Sequence, residues 1–180
     1  MPLTIAQLGQ PILWRKTVEV PVAEITSPAF QEFLQQMRET LTAAKGAGLA
    51  APQVFDSRRV FLAAVLPSPD PDGDPEVETF VNPRLIGVSK EQDEKWEGCL
   101  SFPELLVLVP RPLAVRVEYV NERGEPCVMD LDDFPARVVQ HEHDHLEGIL
   151  TLDRAKSRRH IIKASEIDAY RGKEKQSEAL

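Results

Sequence analysis

The sequence predicts a single domain of the α+β class, and three observations support this prediction. Apolar residues recur at three- and four-residue spacing after Ser27, as on one face of a helix. A second helical pattern runs from about Asp133 to Leu146. Alternating apolar and polar residues between Leu113 and Leu131 predict a β-hairpin. Strands in hairpins together with separate helices are typical of α+β folds.

The first predicted helix begins at Ser27-Pro28, which has a capping residue followed by proline at the first helical position. Gly46 is predicted to end this helix. The simplest role of its apolar stripe is core packing, and the stripe consists of Phe30, Phe33, Leu34, Met37, Leu41 and Ala44.

The strands are predicted from short β-branched or alternating runs. Val60 to Leu66 is apolar and predicts a buried strand, whereas residues 67–78 are rich in Pro, Asp and Gly and predict an exposed loop. Thr79 to Asn82 is expected to form another strand, ended by Pro83. The hairpin pairs residues 113–120 with residues 126–131 through a turn at 121–124.

The second helix is expected from about Asp133 to Leu146 or Glu147, with Gly148 as its stop. The chain beyond it is polar and charged. We therefore predict one domain over residues 1–180, with a core of about 9–154 and a polar C-terminal tail over 155–180.

Composition excludes several classes of protein. The net charge of −8 argues against a general nucleic-acid binder, so no specific DNA partner is expected. The longest apolar runs are far shorter than the roughly 20 residues that span a bilayer, and the first residues lack a secretory signal. With only two cysteines, Cys99 and Cys127, the protein is expected in a reducing cytoplasm.

The second helix carries the pattern H-E-x-x-H at His141, Glu142 and His145. Residues four apart lie on one face of a helix, about 6 Å from each other, so the two imidazoles can hold one metal ion. Glu142 follows the first ligand, and its carboxylate can reach a metal-bound water and act as general acid and base. His143 points away from this face and is expected to be exposed.

A catalytic metal site needs a third protein ligand and an open position. In one class of zinc protease a third His follows downstream, but this chain has Thr151 there. Another class uses a Glu about one helix further on, where Glu166 lies without a supporting motif. Cys99 is the upstream candidate, and a thiolate with two imidazoles suits iron, cobalt, nickel or zinc.

Residues 46–53, Gly-Ala-Gly-Leu-Ala-Ala-Pro-Gln, form a third notable segment. It lacks the further Gly of a dinucleotide loop and the Lys of a phosphate loop, so neither nucleotide site is predicted and no cofactor other than metal is expected. Its small residues would allow a substrate backbone to pass closely, and Gln53 offers an amide donor for a developing oxyanion.

Three segments together resemble the signature motifs of the peptide deformylase family. Residues 46–53 resemble G-x-G-L-A-A-x-Q, residues 97–101 resemble E-G-C-L-S, and residues 140–146 resemble Q-H-E-x-D-H-L. Their order and spacing also agree. The resemblance implies antiparallel sheets packed around a central helix that bears the H-E-x-x-H motif.

The resemblance also implies an activity, which is hydrolytic removal of the formyl group from N-terminal formyl-methionine of nascent polypeptides, with release of formate. It implies one divalent metal ion, natively Fe²⁺ with Zn²⁺, Ni²⁺ or Co²⁺ as substitutes. Further expectations are a monomer, a bacterial cytoplasmic enzyme rather than a processed organellar one, and transient contact with the ribosome. The implied roles are metal binding by Cys99, His141 and His145, catalysis by Glu142, Gln53 and the Leu100 amide, and substrate binding by Ala47, Gly48, Val138 and Phe134.

Two other functions remain open from the residues themselves. A zinc endopeptidase would need one of the downstream ligands, and a non-catalytic, metal-stabilised binding module would need a closed four-ligand site.

Overall fold

The computed structural model describes residues 1–68 and 75–170. In this part of the chain, short 3-10 turns connect three α-helices and eight strands. The helices are α1 (Val22–Ile25), α2 (Pro28–Ala44) and α3 (Asp133–Leu146). The strands are β1 (Gly48–Ala50), β2 (Val60–Leu66), β3 (Glu76–Val88), β4 (Gln92–Glu97), β5 (Leu105–Pro112), β6 (Ala114–Val120), β7 (Pro126–Asp132) and β8 (Ile161–Lys163).

The strands form two antiparallel sheets, which confirms the predicted class. One sheet has the order β1-β2-β3-β6-β7, and the other has the order β4-β5-β8. Helix α3 packs against strands of both sheets and is central to the molecule, as expected. Consequently β1 and β4 are edge strands of different sheets, and the side chains of α3 lie between them.

Helix α2 begins as predicted, since the Ser27 hydroxyl accepts a hydrogen bond from the Phe30 N–H and Pro28 occupies the first turn. Its end differs slightly from the prediction. The helix stops at Ala44, and Lys45 rather than Gly46 takes the left-handed conformation, with φ of 52°. The Lys45 N–H still reaches carbonyls of the last turn, so the helix is capped without glycine.

The prediction that Pro83 ends a strand is wrong, because β3 continues through it to Val88. The register between β3 and β6 shifts between Val81 and Arg84, and Asn82 has φ of 51°. A bulge accommodates a residue that cannot donate to the ladder. The predicted loop is also shorter than expected, since β3 begins at Glu76, and residues 69–74 of that prediction lie outside the described residues.

The hairpin and α3 agree with the sequence predictions. β6 pairs with β7 from Ala114–Asp132 to Val120–Pro126, and α3 ends just before Gly148, whose φ is 72°. Strands β1, β4, β5 and β8 were not predicted. Because β8 pairs with β5, residues of the polar tail contribute to the second sheet. Among the described helices, none has both the length and the apolar character needed to cross a membrane.

Candidate active site

Three potential metal ligands meet where α3 faces the residues that follow β4. The donor atoms of Cys99, His141 and His145 all lie within 4.8 Å of one another, and the Cys99 Sγ is 3.3 Å from the His145 Nε2. Ligands at about 2.0–2.3 Å from one tetrahedral ion are separated by comparable distances. Both cysteines are free, so the Cys99 sulfur is available as a ligand.

The remaining nitrogen of His141 is held by a carboxylate. His141 Nδ1 lies 3.0 Å from Glu97 Oε2, so its Nε2 faces the other two donors. Glu97 is itself fixed by two buried guanidinium groups, with Arg111 Nε at 2.6 Å and Arg137 Nη1 at 2.6 Å. Arg111 also pairs with Asp144 at 2.9 Å. This network fixes the ring orientation of His141, as the outer shell of a metal site usually does.

The electrostatics of these side chains fit a cation. Burial opposes a charge on His141, but hydrogen bonds with Cys99 and Glu97 outweigh it and raise the pKa of His141 to about 10. Burial raises the pKa of Glu97, but hydrogen bonds from His141 and Arg111 lower that pKa to about 2. Burial lowers the pKa of His145, and the His141 and Arg111 charges act in the same direction. The site therefore favours a positive charge on His141, whose proton a metal ion would replace on binding, and keeps His145 in its neutral, ligating form.

Glu142 lies buried beside this ligand group. Its Oε2 atom is inaccessible to solvent and has no hydrogen-bond partner among the described residues. Burial raises the pKa of Glu142 to about 7, although the charges of His141 and Arg111 oppose this shift. A carboxyl group whose pKa is close to neutral can take up and return a proton, which suits a general acid and base.

Gly48 allows the Glu142 carboxylate to take this position. A Cβ atom at residue 48 would lie 2.3 Å from Glu142 Oε1, far inside contact distance. Strand β1, which carries Gly48, is at the edge of its sheet. Main-chain groups of Gly48 are therefore close to Glu142 and at the border of the site, where a substrate backbone would pass.

We expect Gly48→Ala to lower the hydrolytic activity that the motifs predict at least ten-fold, because the added methyl group must displace the Glu142 carboxylate by more than an ångström. Steady-state turnover would measure the effect. Gly87→Ala is a matched control on strand β3, where the nearest atom to an added Cβ is Arg116 Cβ at 3.4 Å. Equal losses in both variants would contradict the specific role of Gly48.

Gln53 approaches the ligand group from the 46–53 segment, and Leu100 directly follows Cys99. The Gln53 side chain is oriented by its Oε1, which accepts the Ala50 N–H at 2.9 Å. Its amide nitrogen then lies 3.6 Å from Cys99 Sγ and 3.2 Å from Ser101 Oγ. The Leu100 N–H has no acceptor among the described residues. The Gln53 amide group and the Leu100 N–H are thus two potential donors next to the cysteine.

A cleft of about 420 Å³ opens in front of these groups. All of the predicted substrate-binding residues border it, and Val138 is buried whereas the Phe134 side chain is 57% exposed. Its predominantly apolar lining suits a hydrophobic side chain. The residues around the cleft include Ala47, Gly48, Gln53, Trp96, Leu100, Phe134, Arg137, Val138, His141 and Glu142.

The structure brings every predicted site residue into one place and excludes one alternative ligand. Glu166 is exposed and does not belong to the ligand group found among the described residues. The prediction of an exposed His143 is wrong. That side chain is partly buried, and its Nε2 lies 3.1 Å from Arg59 Nη2, because the polar face of α3 packs against the end of the first sheet.

The sequence analysis assigned no role to Glu97, Arg111 or Arg137. The positions of the two arginines within their strand and helix nevertheless indicate that they are buried. Arg111 alternates with Val107 and Val109 on β5, and all three face inward. Arg137 precedes His141 by four positions and therefore lies on the same helical face. A charged residue in register with core or ligand positions indicates a buried ion pair, but its partner cannot be identified without tertiary structure.

Comparisons with known proteins agree with this geometry. The family described as polypeptide deformylase matches residues 2–160. Peptide deformylase 2 of Nostoc sp. is 41% identical over 166 residues, which cover 91% of this chain and 92% of that protein. The crystal structure of a Met-Ala-Ser-bound class I type b peptide deformylase from Acinetobacter baumannii superposes with a TM-score of 0.79 at 37% identity, covering 86% of this chain and 98% of that one. For peptide deformylase of Thermotoga maritima, the TM-score is 0.78 at 34% identity, with 87% and 99% covered.

Proposed function

This chain belongs to the polypeptide deformylase family, and from that premise we propose how its residues perform the reaction. The enzyme hydrolyses the formyl group from the N-terminal methionine of nascent polypeptides and releases formate. The observation that carries this conclusion is the meeting of Cys99, His141 and His145 beside Glu142 in an apolar cleft.

One divalent metal ion fits the three donors, since a thiolate and two imidazoles leave a fourth position open, and its binding would displace the proton of His141. Such an ion supplies Lewis acidity and lowers the pKa of a water molecule beside it. We propose Fe²⁺ as the native metal, with Zn²⁺, Ni²⁺ or Co²⁺ as substitutes. The soft sulfur donor supports this set over magnesium or calcium.

Glu142 is proposed as the general acid and base. Its carboxylate takes a proton from the attacking water and then donates a proton to the amine of methionine as the C–N bond breaks. The raised pKa of Glu142 supports both steps, because the group can hold the proton near neutral pH between them.

The oxyanion that develops on the formyl oxygen needs hydrogen-bond donors. The Gln53 side-chain amide and the Leu100 backbone N–H are proposed to supply them, each with an effect of about 3 kcal/mol on the barrier. Gln53 supports this role because its Oε1 is already engaged by Ala50, which leaves the NH₂ group directed at the site.

The substrate is proposed to bind as an extended strand along Gly48, with Ala47 beside it. The methionine side chain then enters the apolar part of the cleft near Val138 and Phe134. The A. baumannii relative was crystallised with Met-Ala-Ser, which supports a peptide that begins with methionine in this cleft.

The compartment and a transient contact with the ribosome are proposed from the origin of the relatives and from the basic residues of the C-terminal tail. The bacterial origin of the relatives supports a bacterial cytoplasmic enzyme rather than an organellar one. Exposed Arg158, Arg159 and Lys163 near β8 would suit transient contact with ribosomal RNA phosphates. A monomeric state stays a prediction.

Anaerobic purification followed by metal analysis and a formate-release assay on the same sample tests the function. We expect about one metal per chain and formate release from formyl-Met peptides, without cleavage of internal peptide bonds. Cleavage of internal bonds would favour the endopeptidase, and tight metal binding without either reaction would favour the binding module. Aerobic handling would oxidise thiolate-bound ferrous iron, so an aerobic sample reconstituted with Ni²⁺ is a useful parallel.

A further inference from the structure

An aromatic pair stands at the border of the cleft, and neither the ligand group nor the proposed mechanism uses it. Trp96 lies on β4, directly before Glu97, and is one of the residues that border the cleft. The Tyr170 ring packs against it edge-on, with ring centroids 4.9 Å apart and an interplanar angle of 80°. Residues 167–170 are helical, follow β8 along the chain and include Tyr170.

The two faces of β4 have different surroundings. Asp93 and Glu97 both contact Arg137 of α3, at 2.5 Å and 2.6 Å, so odd-numbered residues of this strand face the helix. Successive side chains of a strand point to opposite faces. Trp96 therefore faces away from α3, on the same side as Glu94, which pairs with Lys156 of the tail.

The position of the cleft between two sheet edges determines what Trp96 can contact. β1 and β4 are the edge strands of the two sheets, and the cleft is bordered by residues of both. In the proposed binding mode, an extended peptide would direct its first side chain, methionine, toward Val138 and Phe134 of α3, which both border the cleft. Alternation then directs its second side chain to the opposite side, where the indole ring of Trp96 lies.

From this placement we propose that Trp96 is a specificity-determining residue that contacts the side chain following methionine and favours large apolar or aromatic residues there. Tyr170 is a positioning residue, since its ring fixes the orientation of the indole. The inference rests on the proposed deformylase function and adds a preference at the second substrate residue.

The test uses a series of peptides, formyl-Met-X-Ser, in which X is Gly, Leu or Phe. We expect Trp96→Ala to lower the ratio of kcat/KM for X = Phe to that for X = Gly by about 3- to 10-fold, mainly through KM. Trp96→Phe should retain most of the preference, and Tyr170→Ala should lower it by about 2-fold while Tyr170→Phe preserves it. Trp14→Ala is the matched control, because Trp14 is the other tryptophan and is half-exposed in the 3-10 helix Pro11–Trp14. This variant should leave the ratio unchanged.

A second measurement does not depend on turnover. In Trp14→Phe, Trp96 is the only tryptophan, and addition of the unformylated peptide Met-Phe-Ser should change its emission in a saturable way, more strongly than Met-Gly-Ser does. The inference would be overturned if Trp96→Ala left the ratio of kcat/KM values unchanged, or if the tryptophan emission responded to none of the peptides. In either case, formate release by the wild type would still support the proposed function. If the wild type deformylates none of the peptides, both fail.

Discussion

Glu142→Gln is expected to retain the metal and to lose deformylation by at least about 100-fold, because the variant keeps the shape of the side chain but cannot exchange the proton. Metal content per chain and formate release, measured on one sample, test the expectation. Glu147→Gln is a matched control on the residue after α3, where the carboxylate forms ion pairs with Lys16 and Arg59 away from the cleft. That control should have near wild-type turnover, and turnover of the same order in Glu142→Gln would contradict the assigned role.

The same variant is also expected to change how the free energy of unfolding depends on pH, and this effect is measured independently of catalysis. Burial raises the folded-state pKa of Glu142 to about 7 from 4.5, so ionising this group costs stability. The penalty is absent below pH 4.5, grows as the pH rises to about 7, and is constant above that. The free energy of unfolding of metal-free Glu142→Gln should therefore rise relative to wild type between pH 4.5 and 7. A fall across that range would show that Glu142 is stabilised as a carboxylate.

Cys99→Ala should abolish both metal retention and activity, because it removes the thiolate that completes the ligand group. We expect metal affinity to fall by more than about 100-fold, which exceeds the usual effect of an outer-shell change. Metal analysis after dialysis, together with formate release at added Ni²⁺ or Zn²⁺, measures the loss. Only a small side chain is removed, so the melting temperature of the metal-free protein should change little.

Cys127→Ser is the matched control for this variant. Cys127 is the other free cysteine and lies on β7, outside the ligand group. It should keep a full complement of metal and full activity. If Cys99→Ala also keeps its metal, or if Cys127→Ser loses it, then the sulfur ligand has been assigned incorrectly.

Much of the site could be predicted because its chemistry is local in sequence. His141 and His145 share a helical face whatever the rest of the chain does, since their spacing matches the turn of the helix. The motifs at 46–53 and 97–101 identified Gln53, Cys99 and Leu100 through resemblance. The structure brings these residues together with Val138 and Phe134 around one cleft, while their roles stay proposals.

The misassigned elements have a common cause, which is tertiary context. Pro83 was expected to end a strand, but a bulge against β6 carries β3 past it. His143 was expected to face solvent, but Arg59, directly before β2, contacts it. Strand β4 was missed because its sequence, Gln92 to Glu97, is mostly charged and lacks the apolar alternation of a typical strand. Its charged side chains are accommodated through ion pairs with α3 and the tail.

The sequence by itself determined helices α2 and α3, the hairpin, the two imidazole ligands and the family, since each depends on short-range spacing or on contiguous motifs. Only the tertiary structure decided that Glu97 is held between two arginines, that Gly48 makes room for Glu142, and that the Trp96 ring packs against Tyr170 beside the cleft. These contacts join residues that are distant along the chain. Strand pairing and burial bring such residues together, and no local pattern encodes those partners.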